Sequence, residues 1–287
     1  MKVGVIGLGL IGGSLAMSIR QRFSAVQLWG YDASEAHMEQ ALSLGIVDKS
    51  MDPSLWAEMD VLIVAIPVDA TVRLLPEVLD KISDRTLVID MGSTKEAIVE
   101  AVEGHPRRGQ FLAAHPIAGT EFSGPQAAID DLFDEKIVIL CDTEQTQLSF
   151  RERATQLMKK IGFRFIYMEA SAHDLHVAYV SHLSHVSSFM LGQTVLDMEK
   201  NPETIAELAG SGFASTVRLA KSSPDMWAPI FSQNKKHVIK ALRTYIGHLN
   251  TFAEAMENDD MTQLLELMQS ANQITPILEG MAQLKNE

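Results

Sequence analysis

A doubly wound α/β sheet followed by an all-α C-terminal domain is the fold this 287-residue chain predicts, and three observations predict it. A short apolar run at the N-terminus (Val3, Val5, Ile6) feeds Gly7-Leu8-Gly9-Leu10-Ile11-Gly12 and then a helix-compatible stretch. Apolar runs and amphipathic segments alternate through the first 168 residues. After about residue 170 strand signals stop and long helical patterns take over. Alternation of this kind builds a sheet with helices on both faces, and the change of texture marks a second domain. The expected division is 1–170 and 171–287.

The first strand delivers its C-terminal end to the glycine-rich turn. Gly7 permits the tight turn, Gly9 has no side chain to hold a pyrophosphate away, and Gly12 lets the helix pack close to the strand. The N–H groups near Leu10 and Ile11 face the anion along the positive end of the helix dipole. A second apolar strand, 26–31, ends in Asp32, 20 residues past Gly12. A carboxylate there accepts hydrogen bonds from the adenosine ribose and repels a 2′-phosphate, so the domain is Rossmann-type and the expected cofactor is NAD.

Runs suited to buried parallel strands recur at 61–66, 86–91, 111–114, 136–141 and 163–168, with helical segments near 34–44, 68–81, 95–103 and 145–160. Ile66 and Pro67, and then Gly92-Ser93, fall at strand C-terminal ends, the rim where ligands of such sheets bind. Ile66, Pro67 and Ser93 are therefore expected at the cofactor. Beyond residue 170, helices are expected at about 172–199, 203–209, 226–257 and 260–284, punctuated at Asn201-Pro202, Ser222-Ser223-Pro224 and Asn258-Asp259-Asp260. The cleft between the two domains is the expected active site. Met-rich apolar faces on the last two long helices are read as both core and dimer surface.

With 24 Lys and Arg against 37 Asp and Glu, the net charge of −13 argues against nucleic acid or an anionic membrane as partner. A pocket can still be locally cationic and take an anionic small molecule. The single cysteine, Cys141, lies in an apolar run and reads as packing. No apolar run approaches the roughly 20 residues that span a bilayer, and no signal or transit features precede the first strand, so a cytoplasmic protein is expected.

Hydride chemistry needs a proton acceptor and groups to hold the substrate. Four of the nine histidines (His37, His105, His237, His248) sit in polar contexts and read as solvated. His115 differs: it ends the 111–114 strand and opens His115-Pro116-Ile117-Ala118-Gly119-Thr120-Glu121, which places its imidazole on the rim. A histidine there suits proton abstraction at neutral pH, though it could also brace the loop. His173, His176, His182 and His185 pair at i,i+3 spacing on helical faces. They read as anion-binding or as core and capping residues. A metal is not expected, because no cysteine or ligand-spaced acid accompanies them. Arg218, in an otherwise apolar helix, is either a snorkelling surface residue or a carboxylate fork.

Five motifs in order, GLGLIGGSLA at 7–16, MGSTK at 91–95, HPIAGTE at 115–121, SHLSH at 181–185 and GF…R…P-x-M-W across 212–227, resemble the prephenate/arogenate dehydrogenase family of tyrosine biosynthesis, most of all its prephenate dehydrogenases. The first motif is shared by many dehydrogenases; the other four together are specific, and the match runs over nearly the whole chain. The resemblance implies a Rossmann-type domain, a helical substrate-binding and dimerisation domain, a homodimer, and NAD-dependent oxidation of prephenate coupled to decarboxylation to 4-hydroxyphenylpyruvate. By the same resemblance His115 accepts the ring hydroxyl proton, and Ser93 hydrogen-bonds that hydroxyl and the cofactor. Thr120, His182 and His185 line the substrate pocket, and Arg218 holds a carboxylate.

The chain departs from the pattern at Ala214 and Ser215, where several members carry Arg and Asp. It also offers no room for the regulatory or mutase domain of some members, so no prediction of tyrosine feedback follows. Three alternatives stand beside this reading, two of them with discriminating features in the sequence. Arogenate differs from prephenate only in an amino group on the side chain, which sequence does not distinguish. A 3-hydroxyacid dehydrogenase of the 6-phosphogluconate dehydrogenase type would carry a lysine where this chain offers histidines. A non-catalytic dinucleotide sensor would need an output module or a basic face, and neither is visible.

Overall fold

The computed structural model describes residues 1–284 apart from 121, 200 and 201. Glu121 of the HPIAGTE motif and Asn201 of the expected break lie outside the described residues. The strands β1 (Lys2–Ile6), β2 (Gln27–Tyr31), β3 (Lys49–Ser50), β4 (Val61–Val64), β5 (Leu87–Asp90), β6 (Phe111–Pro116), β7 (Ile137–Cys141) and β8 (Arg164–Met168) form one sheet in the order 3-2-1-4-5-6-7-8. The direction of the order reverses between β1 and β4, the switch point at which sheets of this topology bind dinucleotides.

Between the strands run α1 (Leu10–Arg22), α2 (Glu35–Ser43), α3 (Val68–Lys81), α4 (Glu96–Glu100) and α5 (Leu148–Ile161). Side chains alternate across a strand, and the core divides accordingly. Val61 and Ile63 of β4 join Leu87 and Ile89 of β5 on one face, with Leu15 and Ile19 of α1. Leu62, Val64 and Val88 join the other face, with Leu75, Val78 and Leu79 of α3.

The expectation of parallel strands throughout is overturned. The runs at 136–141 and 163–168 are strands, but β7 pairs antiparallel with β6 (Ala114 opposite Leu140), and β8 follows β7 in the reversed direction. A parallel step needs a crossover of a dozen or more residues, usually helical. Among its described residues the chain between β6 and β7 carries only a short 3-10 turn, Pro125–Ala127, whereas α5 supplies a proper crossover from β7 to β8.

After β8 come α6 (Ala170–Val177), a π turn at Ala178–His182, α7 (Leu183–Met198), α8 (Pro202–Leu208), α9 (Ser211–Thr216) and α10 (Pro224–Gln233). The expected helix 226–257 is two: α10 ends at Asn234 and α11 covers Lys235–Glu257. The last expected helix is likewise α12 (Met261–Ala271) and α13 (Ile274–Leu284). By packing, the compact units are Met1–Lys235 and Lys236–Glu287. The first reaches past residue 170 because Trp227 and Ile230 of α10 join the α3 face of the core.

In the second unit Leu249, Phe252 and Met256 of α11, Leu265 and Met268 of α12 and Ile277 of α13 are exposed, and α12 buries no residue. These faces are open on the single chain rather than part of its core, as surfaces that meet another subunit are. Among the described residues no helix is long and apolar enough to cross a membrane.

Candidate active site

The turn after β1 is built for an anion. Gly7 sits at φ +91°, and a Cβ there would lie 2.4 Å from the Ala65 carbonyl oxygen. A Cβ on Gly12 would lie 1.9 Å from the Gly7 carbonyl oxygen. Any side chain at either position would push the turn apart. Gly9, the N-cap of α1, has open space beside it and no side-chain cap. The free N–H groups of Leu10 and Ile11 therefore remain available to a pyrophosphate.

Asp32, at the end of β2, accepts hydrogen bonds from Leu8 N–H and Ser34 N–H, each 2.9 Å. It thus ties the glycine turn to the second strand, and each oxygen keeps a lone pair for a ribose hydroxyl. His37, expected in solvent, stands 3.5 Å from Asp32. Ile66 lies against Gly7, and the exposed Pro67 caps α3. An uncapped helix start, an open glycine and an acid at the end of β2 fit the pyrophosphate and ribose of NAD.

Beyond the switch point the rim carries the reactive groups. Ser93 is half-buried in the loop after β5. His115 is the penultimate residue of β6, which runs past the expected end at 114 to Pro116, and is half-buried, with its Nδ1 2.8 Å from Nε2 of His173. The Nδ1 of His173 is 2.7 Å from Oδ1 of Asp174. Asp174 in turn accepts hydrogen bonds from the backbone N–H groups of Lys95 (2.7 Å) and Glu96 (3.0 Å) at the start of α4. Lys95 is wholly buried. Its Nζ contacts Asp90 at 2.5 Å and donates to the Ala114 carbonyl at 2.9 Å, immediately before His115. Burial pushes the Asp90 carboxyl up even with Lys95 beside it. Loss of hydration, then the neighbouring His173, Lys95 and His182, hold His115 well below the usual histidine value. It is therefore a neutral base at pH 7.

A second group forms around Trp227 of α10. His185 of α7 stacks on its indole at 3.5 Å between centroids, and His182 meets it edge-on at 5.7 Å. His182 is buried, which brings it down to about 4, and its Nδ1 lies 3.2 Å from the Asn234 amide. A neutral ring accepting there keeps its proton on Nε2. The Nδ1–H of His185 donates to the Ser181 carbonyl at 3.0 Å, and burial lowers its pKa, with Arg218 acting in the same direction.

Arg218 is exposed and opens a 3-10 turn, Arg218–Lys221, rather than sitting within a helix, because α9 ends at Thr216. Thr120 is exposed on the loop after β6, where its Oγ1 accepts from Phe122 N–H. His176 is exposed, whereas His173 is buried. Among the described residues no cluster of histidine, cysteine and acidic side chains could hold a metal.

The contributions of Lys95, Asp174, Asn234 and Trp227 escape sequence reasoning. Lys95 lies two residues after Ser93 in MGSTK, and Asp174 is the neighbour of His173, but only the fold brings them behind His115.

Comparison with known proteins agrees with this geometry. The sequence model "Prephenate dehydrogenase, nucleotide-binding domain" matches residues 15–167, and "Prephenate dehydrogenase, dimerization domain" matches 169–270. The chain is similar to prephenate dehydrogenase of Bacillus subtilis, 31% identical over 269 residues covering 92% of this chain and 72% of that protein. Its fold is similar to prephenate dehydrogenase from A. aeolicus, crystallised with hydroxyphenyl propionate and NAD+ (TM-score 0.88, 30% identity, 97% of this chain and 98% of that one). It is also similar to Synechocystis arogenate dehydrogenase (TM-score 0.78, 29% identity, 97% of this chain and 100% of that one).

Proposed function

Because this chain belongs to the prephenate dehydrogenase family, we propose that it oxidises and decarboxylates prephenate to 4-hydroxyphenylpyruvate with NAD, as a cytoplasmic homodimer. Residues 1–170 bind the dinucleotide, and residues 171–287 bind substrate and dimerise. The single observation that carries the reading is His115, a neutral base on the rim of a dinucleotide-binding sheet.

Bound NAD supplies the acceptor for the hydride on the ring carbon that bears the hydroxyl. Gly7, Gly9, Leu10, Ile11 and Gly12 hold its pyrophosphate, Asp32 its ribose, and Ile66, Pro67 and Ser93 flank its path along the rim. His115 takes the hydroxyl proton at Nε2 while Ser93 orients the hydroxyl. The ring carboxylate then leaves as carbon dioxide because the ring becomes aromatic. Much of the acceleration comes from placing base and substrate together. The experiment that tests the reading is NADH formation by purified protein with prephenate or arogenate as sole substrate. Turnover with prephenate at the higher kcat/KM supports it; arogenate as the better substrate transfers the activity to the amino compound.

Asp32→Ser removes the anion that meets the ribose and frees Leu8 N–H. KM for NAD is expected to rise by about an order of magnitude or more, the scale of a hydrogen bond to a charged group. KM for NADP should change little, so the preference narrows; unchanged KM values for both cofactors would contradict this role.

Substrate carries two carboxylates into a protein of net charge −13, so the pocket supplies its own cation. Arg218, beside His185, forms the carboxylate fork. Arg218→Ala is expected to raise KM for prephenate about 10- to 150-fold, from a loss of about 1.5–3 kcal/mol, with kcat changing far less. A KM within twofold of the unmodified protein makes Arg218 a surface residue only. His185 has its Nδ1–H committed to Ser181, so it donates to a carboxylate only when protonated, and His185→Asn should give a smaller rise.

A further inference from the structure

Behind His115 lies a chain of three side chains whose directions are fixed from its far end. Asp174 accepts N–H bonds from Lys95 and Glu96 on separate oxygens, so the partner 2.7 Å from its Oδ1, His173 Nδ1, is the donor. A neutral His173 that carries its proton on Nδ1 presents a lone pair at Nε2. The atom 2.8 Å from that lone pair, His115 Nδ1, must then carry the proton, which leaves the lone pair of His115 on Nε2. His173 and Asp174 are buried, so water does not substitute for either link.

Resting on the reading of His115 as proton acceptor, we propose that Asp174 and His173 are positioning residues for this reaction. They hold His115 in the tautomer whose Nε2 is the base, and they stabilise the cation formed there. When the substrate O–H bond breaks and an N–H bond forms on Nε2, the positive charge is shared through Nδ1–H with His173 and faces Asp174. The hydride leaves separately in the established oxidation, so no further oxidant is required. The other charged or titratable groups facing His115 are Lys95, neutralised by Asp90 of β5, and His182 of the π turn. Lys95 opposes the cation, and Asp174 is the carboxylate connected to it by hydrogen bonds.

The test has two arms. In ¹⁵N-histidine-labelled protein at neutral pH, with His115 assigned from His115→Asn, the expected state is protonated Nδ1 and bare Nε2; a proton on Nε2 overturns the proposal. In kinetics, His173→Phe is expected to lower kcat about 10- to 1000-fold with KM values for NAD and prephenate within about threefold. His173→Gln should recover part of this loss, since its amide oxygen can accept from His115. Asp174→Asn should lower kcat and move the acid limb of the pH profile to lower pH, because the cation on His115 loses its counter-charge. Unchanged kcat and acid limb in His173→Phe and Asp174→Asn overturn the proposal. Should these variants fail to fold, the tautomer of the unmodified protein decides. Absence of turnover in the unmodified protein would refute the function while leaving the tautomer result standing.

Discussion

His115→Asn is expected to lose about 10²–10⁴-fold in kcat, the usual contribution of a positioned base, with little change in NAD affinity. Asparagine can still hydrogen-bond but cannot take a proton. The unmodified protein should keep activity through neutral pH and lose it only in acid. His115 is held well below the ordinary histidine value, so the acid limb falls as pH drops through that lowered value and protonates the base. In His115→Asn that limb should vanish. Near-normal turnover would place the base elsewhere. His182 is a poor substitute, since its Nδ1 accepts from the Asn234 amide and the neutral ring therefore carries its proton on Nε2, with no lone pair left there for a substrate proton.

The largest effect on stability is expected at Lys95. Its ammonium and the Asp90 carboxylate are both fully buried and in contact. Lys95→Met leaves Asp90 with backbone N–H partners alone, Gly92 and Ala114, and stranding one member of a buried pair costs about 3–5 kcal/mol. A melting temperature lower by roughly 10 °C follows for a domain of this size. Without Lys95 the Asp90 carboxyl is raised further, so the folded form binds a proton that the unfolded form releases. Stability of the variant then falls as pH rises, and the deficit should be smaller in mild acid than at neutrality. Lys95→Met with Asp90→Asn should recover most of the loss while keeping the acceptor for Gly92. A single variant that melts with the unmodified protein would show that the pair contributes nothing net.

The centre of the N-terminal sheet was legible because β1, β4, β5, β6 and β7 are buried on both faces and read as apolar runs, with Gly7, Gly9 and Gly12 marking the first turn. His115 was legible for a related reason: a polar ring directly after Phe111-Leu112-Ala113-Ala114 marks the C-terminal part of the strand, which runs on to Pro116. Strand direction was not legible from the runs themselves, since apolar content is the same for either direction. The available signal was the missing helix between 116 and 137. The helix breaks at Asn234 and at 272–273 were also hidden, because apolar periodicity continues across them. Lys95 and Asp174 were invisible for a deeper reason. A lysine and an aspartate in polar contexts read as solvated, and only the packing of α6 against α4 buries them behind His115. Arg218 stands between: its motif was visible, and its place in a 3-10 turn was not.

The central claim is that oxidation and loss of the ring carboxylate are one reaction at this site. Its most direct test is to give purified protein NAD and prephenate and measure NADH, carbon dioxide and 4-hydroxyphenylpyruvate together over time. The expected result is equal amounts of all three, abolished in parallel by His115→Asn. NADH formed without matching carbon dioxide and aromatic product, or no NADH from prephenate at all, would contradict it.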